Sequence, residues 1–315
     1  MTNRELQQLQ ALPLEIKIAK TKQRLREFVQ HYGLGGVYLS FSGGKDSTVL
    51  LHIARQVYPN IEAVFCNTTA EFPEVVKFVK SVPGITWVKP ALRFKDIIEQ
   101  YGYPVISKQV SKTLSIVQNP KDTKGKAAII SGYHTSGKKC LYALPQKYYY
   151  LINSGFRFSD KCCYYLKKSA FKAYAGRARI TGMIAAEGRQ RTLSYLRNGC
   201  NSYAGDGASM PLGFWTEQDI LHYIYQYNVP IAAIYGSVEK APGGGYYLTG
   251  EPRTGCVGCP YGMHLEGSPN RYQRLYKSHP KLWNYYVNYL GFGRLFDYIG
   301  IPYKPEPELL DLSEV

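Results

Sequence analysis

Two groups of residues in this 315-residue chain have types and spacings that could do chemistry. The first is Ser42-Gly43-Gly44-Lys45-Asp46-Ser47. An apolar run, Val37-Tyr38-Leu39-Ser40-Phe41, precedes it, and a helical pattern from about Thr48 to Tyr58 follows. Strand, glycine turn and helix together make a phosphate cradle. Glycines let backbone approach an anion closely, and the N–H groups and dipole of a helix start favour negative charge. Lys45 adds a mobile positive charge; Ser42 and Ser47 add hydroxyl donors. The loop is not a Walker A motif, because Asp46 follows Lys45 and Leu39 stands where that motif needs its first glycine.

The second group is thiol-bearing. Of seven cysteines (Cys66, Cys140, Cys162, Cys163, Cys200, Cys256 and Cys259), Cys162-Cys163 is followed 93 residues later by Cys256-x-x-Cys259. An adjacent pair and a C-x-x-C read as ligation rather than as a disulfide framework. Four soft ligands suit either a [4Fe-4S] cluster or a structural Zn2+. Cys66 ends an apolar run and reads as a small buried hydrophobe.

The elements that must position these groups follow from periodicity. Residues 12–32 read as an amphipathic helix, with Leu14, Ile18, Leu25, Phe28, Val29 and Tyr32 on one face and Lys and Arg opposite. Strands are expected at 37–41, 61–66 and 85–88, with helices from Pro73 to before Pro83 and over 94–101. Such alternation means α/β: a doubly wound, mostly parallel sheet with helices on both faces. Regularity decays over 103–160, where Lys121-Asp122-Thr123-Lys124-Gly125-Lys126 reads as a basic turn or mobile loop. It returns with a helix from about Cys163 and a strand at Arg179-Ile180-Thr181-Gly182. Thr216 is placed to cap a helix whose first turn holds Glu217 and Asp219. Residues 240–262 read as a long Gly- and Pro-rich loop carrying the C-x-x-C, helices return over 269–300, and an acidic tail ends the chain. The expected organisation is an N-terminal helix (1–33), a nucleotide-binding α/β domain (34–235) with a basic insertion near 103–160, and a cysteine loop with a helical C-terminal part (236–315).

Charge is unevenly placed. The whole chain carries 39 Lys+Arg against 23 Asp+Glu, a net +16. Residues 101–200 alone hold 18 basic and 3 acidic side chains, a net +15. Such a field attracts polyanions, so nucleic acid (tRNA or DNA) is a candidate partner; the alternative is a solvated basic face. No run of about 18 apolar residues occurs, and Met1-Thr2-Asn3-Arg4-Glu5 does not open a secretory signal. A cytoplasmic setting with no membrane partner is expected; oligomeric state is not encoded here.

Ser-Gly-Gly-Lys-Asp-Ser after a first strand resembles the PP-loop of the ATP pyrophosphatase superfamily, which includes the phosphoadenosine phosphosulfate (PAPS) reductase family. Three further segments resemble that family: Asn67-Thr68-Thr69-Ala70-Glu71-Phe72-Pro73-Glu74 after the second strand, Thr181-Gly182 with Glu187-x-Arg189, and Pro211-Leu212-x-Phe214-Trp215-Thr216-x-x-Asp219-Ile220. The resemblance runs over roughly residues 30–300. It implies ATP cleaved between its α and β phosphates, with Mg2+ and pyrophosphate held by the loop. Implied nucleotide contacts are Ser40, Ser42, Gly43, Gly44, Lys45, Asp46, Ser47, Asn67, Thr68, Gly182, Glu187 and Arg191. Implied catalytic groups are Lys45, Asp46, Lys167 and Arg189. The order Cys-Cys…Cys-x-x-Cys, with Lys167 four residues after Cys163, is similar to the cluster motif of assimilatory adenosine phosphosulfate reductases. This favours a [4Fe-4S] cluster on Cys162, Cys163, Cys256 and Cys259 over zinc.

The chain also departs from the reductases. No cysteine follows Cys259, whereas those enzymes attack sulfur with a C-terminal cysteine. The loop keeps the Lys45-Asp46 pair of the ATP-cleaving form, Ile184 stands where the family has Arg, and Asn67 and Thr69 replace Asp and Gly. The leading expectation is therefore an enzyme that adenylates an acceptor, releasing pyrophosphate, for sulfur transfer to a nucleic acid or small molecule, with a sulfur-donor protein as a candidate partner. A divergent sulfonucleotide reductase and a non-catalytic basic nucleic-acid-binding module are the alternatives.

Overall fold

The computed structural model describes residues 1–121 and 123–305, with the side chains of Thr123 and Lys124 left out. Asp122 of the expected basic turn and the acidic tail at 306–315 lie outside the described residues. The chain divides into two compact units, each discontinuous in sequence: Met1–Pro90 with Lys167–Val257, and Ala91–Leu166 with Gly258–Val315.

The first unit holds the sheet. Its strands are β1 (Val37–Phe41), β2 (Ala63–Cys66), β3 (Ile85–Val88), β4 (Ala178–Thr181), β5 (Asn201–Ser202) and β6 (Ala208–Ser209), in the order β3-β2-β1-β4-β6-β5. All neighbours are parallel except β5 and β6. Leu39 of β1 stands opposite Ala63 on one side and Ile180 on the other. Val37, Tyr38, Leu39 and Phe41 are all buried, as the residues of a strand must be when helices cover both sheet faces. This is the expected α/β class.

Four helices precede β3: α1 (Asn3–Gln10), α2 (Leu14–Tyr32), α3 (Lys45–Val57) and α4 (Pro73–Ser81). The single helix expected over 12–32 is α2, shortened at its start by Pro13, and α1 is an addition to the expected elements. Thr2 and Glu5 form the reciprocal cap that starts α1. Lys17, expected on the polar face of α2, is 1% exposed. Its Nζ lies 2.6 Å from Asp219 Oδ2 and 2.6 Å from the Gln10 carbonyl oxygen. Asp219 also closes the cap of the helix Glu217–Tyr227, and Trp215 Nε1 donates to Thr21 Oγ1 at 3.0 Å. The Trp-Thr-x-x-Asp segment therefore fastens that helix to α2.

The second unit contains α5 (Phe94–Tyr101), α6 (Lys108–Gln118) and α7 (Thr123–Ser131), then a short 3-10 turn over Gln146–Leu151 that takes in Tyr148–Tyr150. The expected irregularity from 103 onward is thus interrupted by two helices. Ser107 caps α6 by accepting from Val110 N–H at 3.2 Å. Later helices span Arg271–Ser278, Pro280–Asn284 and Phe292–Ile299, around a core in which Tyr272 meets Phe296 edge-on at 4.7 Å. The loop expected over 240–262 begins with a small hairpin in the first unit, Val238–Lys240 with Tyr246–Leu248.

Candidate nucleotide site

The chain leaves β1 at Phe41 and enters α3 at Lys45, so the turn is three residues long. β1 is flanked by β2 and β4, which are reached by connections running in opposite directions along the sheet. Ligands of open α/β sheets bind at such a switch point, beyond the carboxyl ends of the strands. Gly43 sits at φ +69°, and a Cβ there would lie 2.6 Å from Val79 Cγ2 and 2.8 Å from Val75 Cγ1. Gly182, just past β4, touches the start of α3 so closely that a Cβ would lie 2.9 Å from Asp46 O, Ser47 N and Ser47 Cα. Both glycines are demanded by close approach, and both tighten the turn beneath the helix N-terminus.

No side chain caps α3 at Gly44. Ser42 N–H donates to Ser47 Oγ at 3.2 Å, the two hydroxyls are 3.0 Å apart, and Ser47 Oγ donates to Gly44 O at 2.9 Å. The two serines thus brace the loop. Lys45 N–H donates to the buried Tyr235 hydroxyl at 3.2 Å, and that hydroxyl lies 2.6 Å from Thr254 Oγ1. Tyr235 and Thr254 are neighbours of the loop that sequence reasoning missed; Tyr235 is 190 residues from its partner, and no local pattern marks it.

The Lys45 side chain is buried. Its Nζ lies 3.3 Å from Glu217 Oε1 and 3.5 Å from Asp46 Oδ1. Asp46 Oδ1 is buried and, among the described residues, accepts no hydrogen bond, so Lys45 meets it as an ion pair only. Burial pushes the Asp46 carboxyl up, against the pull of Lys45. Arg191 feels Asp46 and Arg253, and partial burial followed by the Arg253 charge holds its guanidinium below the usual value. Glu187 forms an ion pair with Arg191. Arg189 begins the helix Arg189–Asn198.

Beside the loop lies a cleft of about 190 Å3. Ser40, Phe41 and Ser42 line it from the end of β1, Phe65, Cys66, Thr68 and Glu71 from the end of β2, and Lys167, Phe171, Thr254 and Gly255 from later segments. Burial and then Glu71 push the Cys66 thiol up to about 11, while Lys167 opposes them. Glu71 is itself raised by burial, and it accepts from Thr68 Oγ1 at 2.6 Å and Thr68 N–H at 3.0 Å. Cys66 is therefore only half-buried and lines the cleft, which corrects its reading as a buried apolar filler. Thr69 adopts φ +61°, a left-handed conformation natural to the glycine of the family pattern. Asn67 Oδ1 holds that turn by accepting from Thr69 N–H at 3.1 Å.

The structure thus brings Ser40, Ser42, Thr68 and Lys167 to one cleft. It sets Lys45, Asp46 and Arg191 around the buried start of α3, where Gly182 presses on Ser47. Glu217 and Arg253 join that second group without any motif to announce them.

The cysteines are distributed differently. Cys256 belongs to the first unit, and Cys162, Cys163 and Cys259 belong to the second. In the second unit the Tyr261 hydroxyl is pushed far up by burial and then by Cys162, with Cys163 and Cys259 adding to it. That hydroxyl is buried and has no hydrogen-bond partner among the described residues. Ser111, which would oppose the shift, already exchanges hydrogen bonds with the Val105 backbone at 2.8 and 2.9 Å. Thiol chemistry beside an orphaned donor suits a metal–sulfur group. Yet among the described residues no group of three or more His, Cys, Asp or Glu side chains is gathered to hold a metal ion. Cys200 is buried in the first unit, 3.3 Å from the Tyr195 hydroxyl. No helix among the described residues is long and apolar enough to cross a membrane.

A glycine turn delivering a helix N-terminus to the switch point of a parallel sheet is an α/β geometry suited to an anion such as phosphate. Residues 36–132 match the family model described as the phosphoadenosine phosphosulfate reductase domain. Sulfate adenylyltransferase subunit 2 of Shewanella sp. (strain ANA-3) is 26% identical over 242 residues, covering 76% of this chain and 71% of that protein. The Shewanella oneidensis protein of the same name matches equally, at 26% over 242 residues. Among solved structures, the Candida auris PAPS reductase in its phosphate complex is 14% identical, with a TM-score of 0.40, 74% of this chain and 90% of that one covered. The U34-tRNA thiolase NcsA of Methanococcus maripaludis with its [4Fe-4S] cluster is 17% identical, with a TM-score of 0.33, 92% and 85% covered.

Proposed function

We propose that this protein is an ATP pyrophosphatase-type enzyme that adenylates an acceptor. The observation that carries the reading is the start of α3, which has no N-cap side chain at Gly44 and is reached through Gly43 at φ +69° and closed from behind by Gly182. That arrangement offers backbone N–H groups and a helix dipole to an anion. The relatives named for adenylyl transfer to sulfate support ATP as the nucleotide.

In this reading the β and γ phosphates occupy the loop, with Mg2+ arriving as part of the substrate. An acceptor oxygen attacks the α phosphorus; the bond from that phosphorus to the bridging oxygen breaks, and pyrophosphate leaves. Lys45, now paired with Glu217 and Asp46, exchanges those partners for phosphate oxygens and stabilises the leaving charge. Arg191 and Arg253 supply further positive charge near Asp46, and Arg189 is assigned to the acceptor anion. Lys167, in the cleft with Cys66 and Glu71, faces the acceptor end, where a sulfur nucleophile could displace AMP. The basic middle third offers a nucleic-acid acceptor its phosphate contacts.

Cys162, Cys163, Cys256 and Cys259 are proposed as ligands of a [4Fe-4S] cluster, a group that supplies bound sulfide and redox-active iron. Iron and acid-labile sulfide in anaerobically purified protein support this, and stoichiometric zinc without iron refutes it. The catalytic reading is tested by pyrophosphate release from ATP, assayed without oxygen against tRNA, DNA and sulfate in parallel. Formation that disappears in Lys45→Ala supports it; no formation with any acceptor by protein that binds ATP overturns it. The reductase-domain match over residues 36–132 favours a second reading, sulfonucleotide reduction. Sulfite released from PAPS in the presence of thioredoxin would establish that reading instead.

A further inference from the structure

The second unit carries a surface that the nucleotide chemistry does not use. Residues 101–150 contain eight lysines, no arginine, one acid (Asp122) and seven tyrosines. Among the described residues, no carboxylate lies within ion-pair distance of Lys112, Lys126, Lys138, Lys139 or Lys147. Lysines that merely solubilise a face commonly sit among acids of the same face; among the described residues these five have no such ion-pair partner. Tyr133 and Tyr142 are 58% and 57% exposed, a large apolar area to leave in water. Both rings line a cavity of about 860 Å3 between α6, α7 and the turn that follows, with Lys112, Ile116, Ala128 and His134. Lys112 Nζ stands 5.2 Å from the centre of the Tyr142 ring, and Lys147 Nζ 5.0 Å from that of Tyr148. Lysines thus stand over one face of each of these two rings, while Tyr133 and Tyr142 remain more than half exposed.

We propose that this face binds single-stranded nucleic acid, with Tyr133 and Tyr142 as stacking platforms for unpaired bases and Lys112, Lys138 and Lys139 as phosphate contacts. Unpaired lysines supply the sequence-independent attraction, and exposed rings supply affinity for any base with an open face. A duplex hides its base faces and would leave the rings without a partner, so the rings select the single strand. The proposal deepens the adenylating reading by naming the class of acceptor, and in that sense rests on it. Binding itself needs no ATP.

The test is fluorescence anisotropy of a fluorescein-labelled oligothymidylate against the full chain. Binding is expected to weaken steeply with salt, and Lys138→Gln with Lys139→Gln should reduce the logarithmic salt slope by about 0.7 for each phosphate no longer neutralised. Tyr133→Ala with Tyr142→Ala should weaken binding about tenfold or more, whereas Tyr133→Phe with Tyr142→Phe should keep it. Absence of binding at low salt, equal affinity of the alanine and phenylalanine pairs, or a duplex held as tightly as the single strand would each overturn the proposal. If the alanine pair fails to fold, the lysine pair decides through the slope. Oligothymidylate binding by Lys45→Ala protein separates failure of this surface from failure of the nucleotide site.

Discussion

The loop before α3 and the lysine–tyrosine tract of residues 101–150 are two ways of meeting an anion. In the loop, positive potential comes from backbone: a helix start, two glycines and braced hydroxyls, with Lys45 held in reserve against Glu217 and Asp46. In the tract it comes from lysines such as Lys112, Lys138 and Lys139, which have no ion-pair partner among the described residues, beside the exposed rings of Tyr133 and Tyr142. The first design fixes a geometry and fails if one atom is added. The second fixes only a field and tolerates single losses. One suits a ligand whose every bond length is known in advance, the other a polymer of variable sequence.

The sharpest way to break this contrast is at Lys45. Lys45→Gln shortens the side chain only slightly but removes the charge proposed to meet the leaving pyrophosphate. Turnover should fall about 100- to 1000-fold, the size of effect that follows removal of one preorganised electrostatic group. Asp46, already raised by burial, then takes up a proton more readily, so a urea titration beside the pyrophosphate assay separates folding from catalysis. Gly182→Ala is the next largest test. Its Cβ would meet backbone atoms of Asp46 and Ser47 rather than a movable side chain. Overpacking of that kind costs about 1–3 kcal/mol and should appear as a lowered urea midpoint together with weakened ATP binding. A neutral result would mean that β4 and α3 can part, and that the loop is not held as described.

Why the loop is legible in the sequence and its surroundings are not has a physical reason. Ser42 to Ser47 are contiguous, and their local conformation is nearly dictated by their own types. Likewise Thr216 and Asp219 form their cap within one turn. Glu217, Arg253, Tyr235 and Thr254 reach the loop only after the chain has crossed the whole sheet, so their positions are facts of topology. Lys17 looks polar because helical periodicity reports the face of a helix, not a partner 202 residues away. Cys66 looks like packing because a strand that ends in an apolar run gives no sign that its last residue lines a cleft. Helices α6 and α7 are hidden because their first turns carry no acid and α7 contains Gly125. The four cysteines are the most conspicuous pattern in the sequence, yet their division between two units cannot be read from spacing.

Asp46 sharpens the comparison through pH. Burial raises its folded-state value above the ordinary 3.8, so the folded protein binds the proton more tightly than the unfolded chain. The stability this confers is complete below the unfolded value and is lost as pH rises through the raised folded one. Asp46→Asn has no such loss. The urea-derived stability of the variant should therefore gain on the wild type as pH climbs from acid towards neutral. Parallel curves would show that Lys45 fully compensates the buried charge. A smaller gain is expected at Thr69, whose φ of +61° is costly for a β-branched residue. Thr69→Gly should relieve about 1 kcal/mol of that strain, visible as a raised melting temperature.

The smallest effect belongs to the tract. Lys138 is exposed, and among the described residues it has no ion-pair partner, so the folded state owes it nearly nothing. Lys138→Gln should change stability by less than about 0.5 kcal/mol, as surface substitutions away from special features do. Calorimetric melting of the variant and of Gly182→Ala under the same conditions sets the two regions side by side. A large loss at Lys138 would mean that the tract is built into the fold after all, and that its positive charge serves the protein rather than a polyanion outside it.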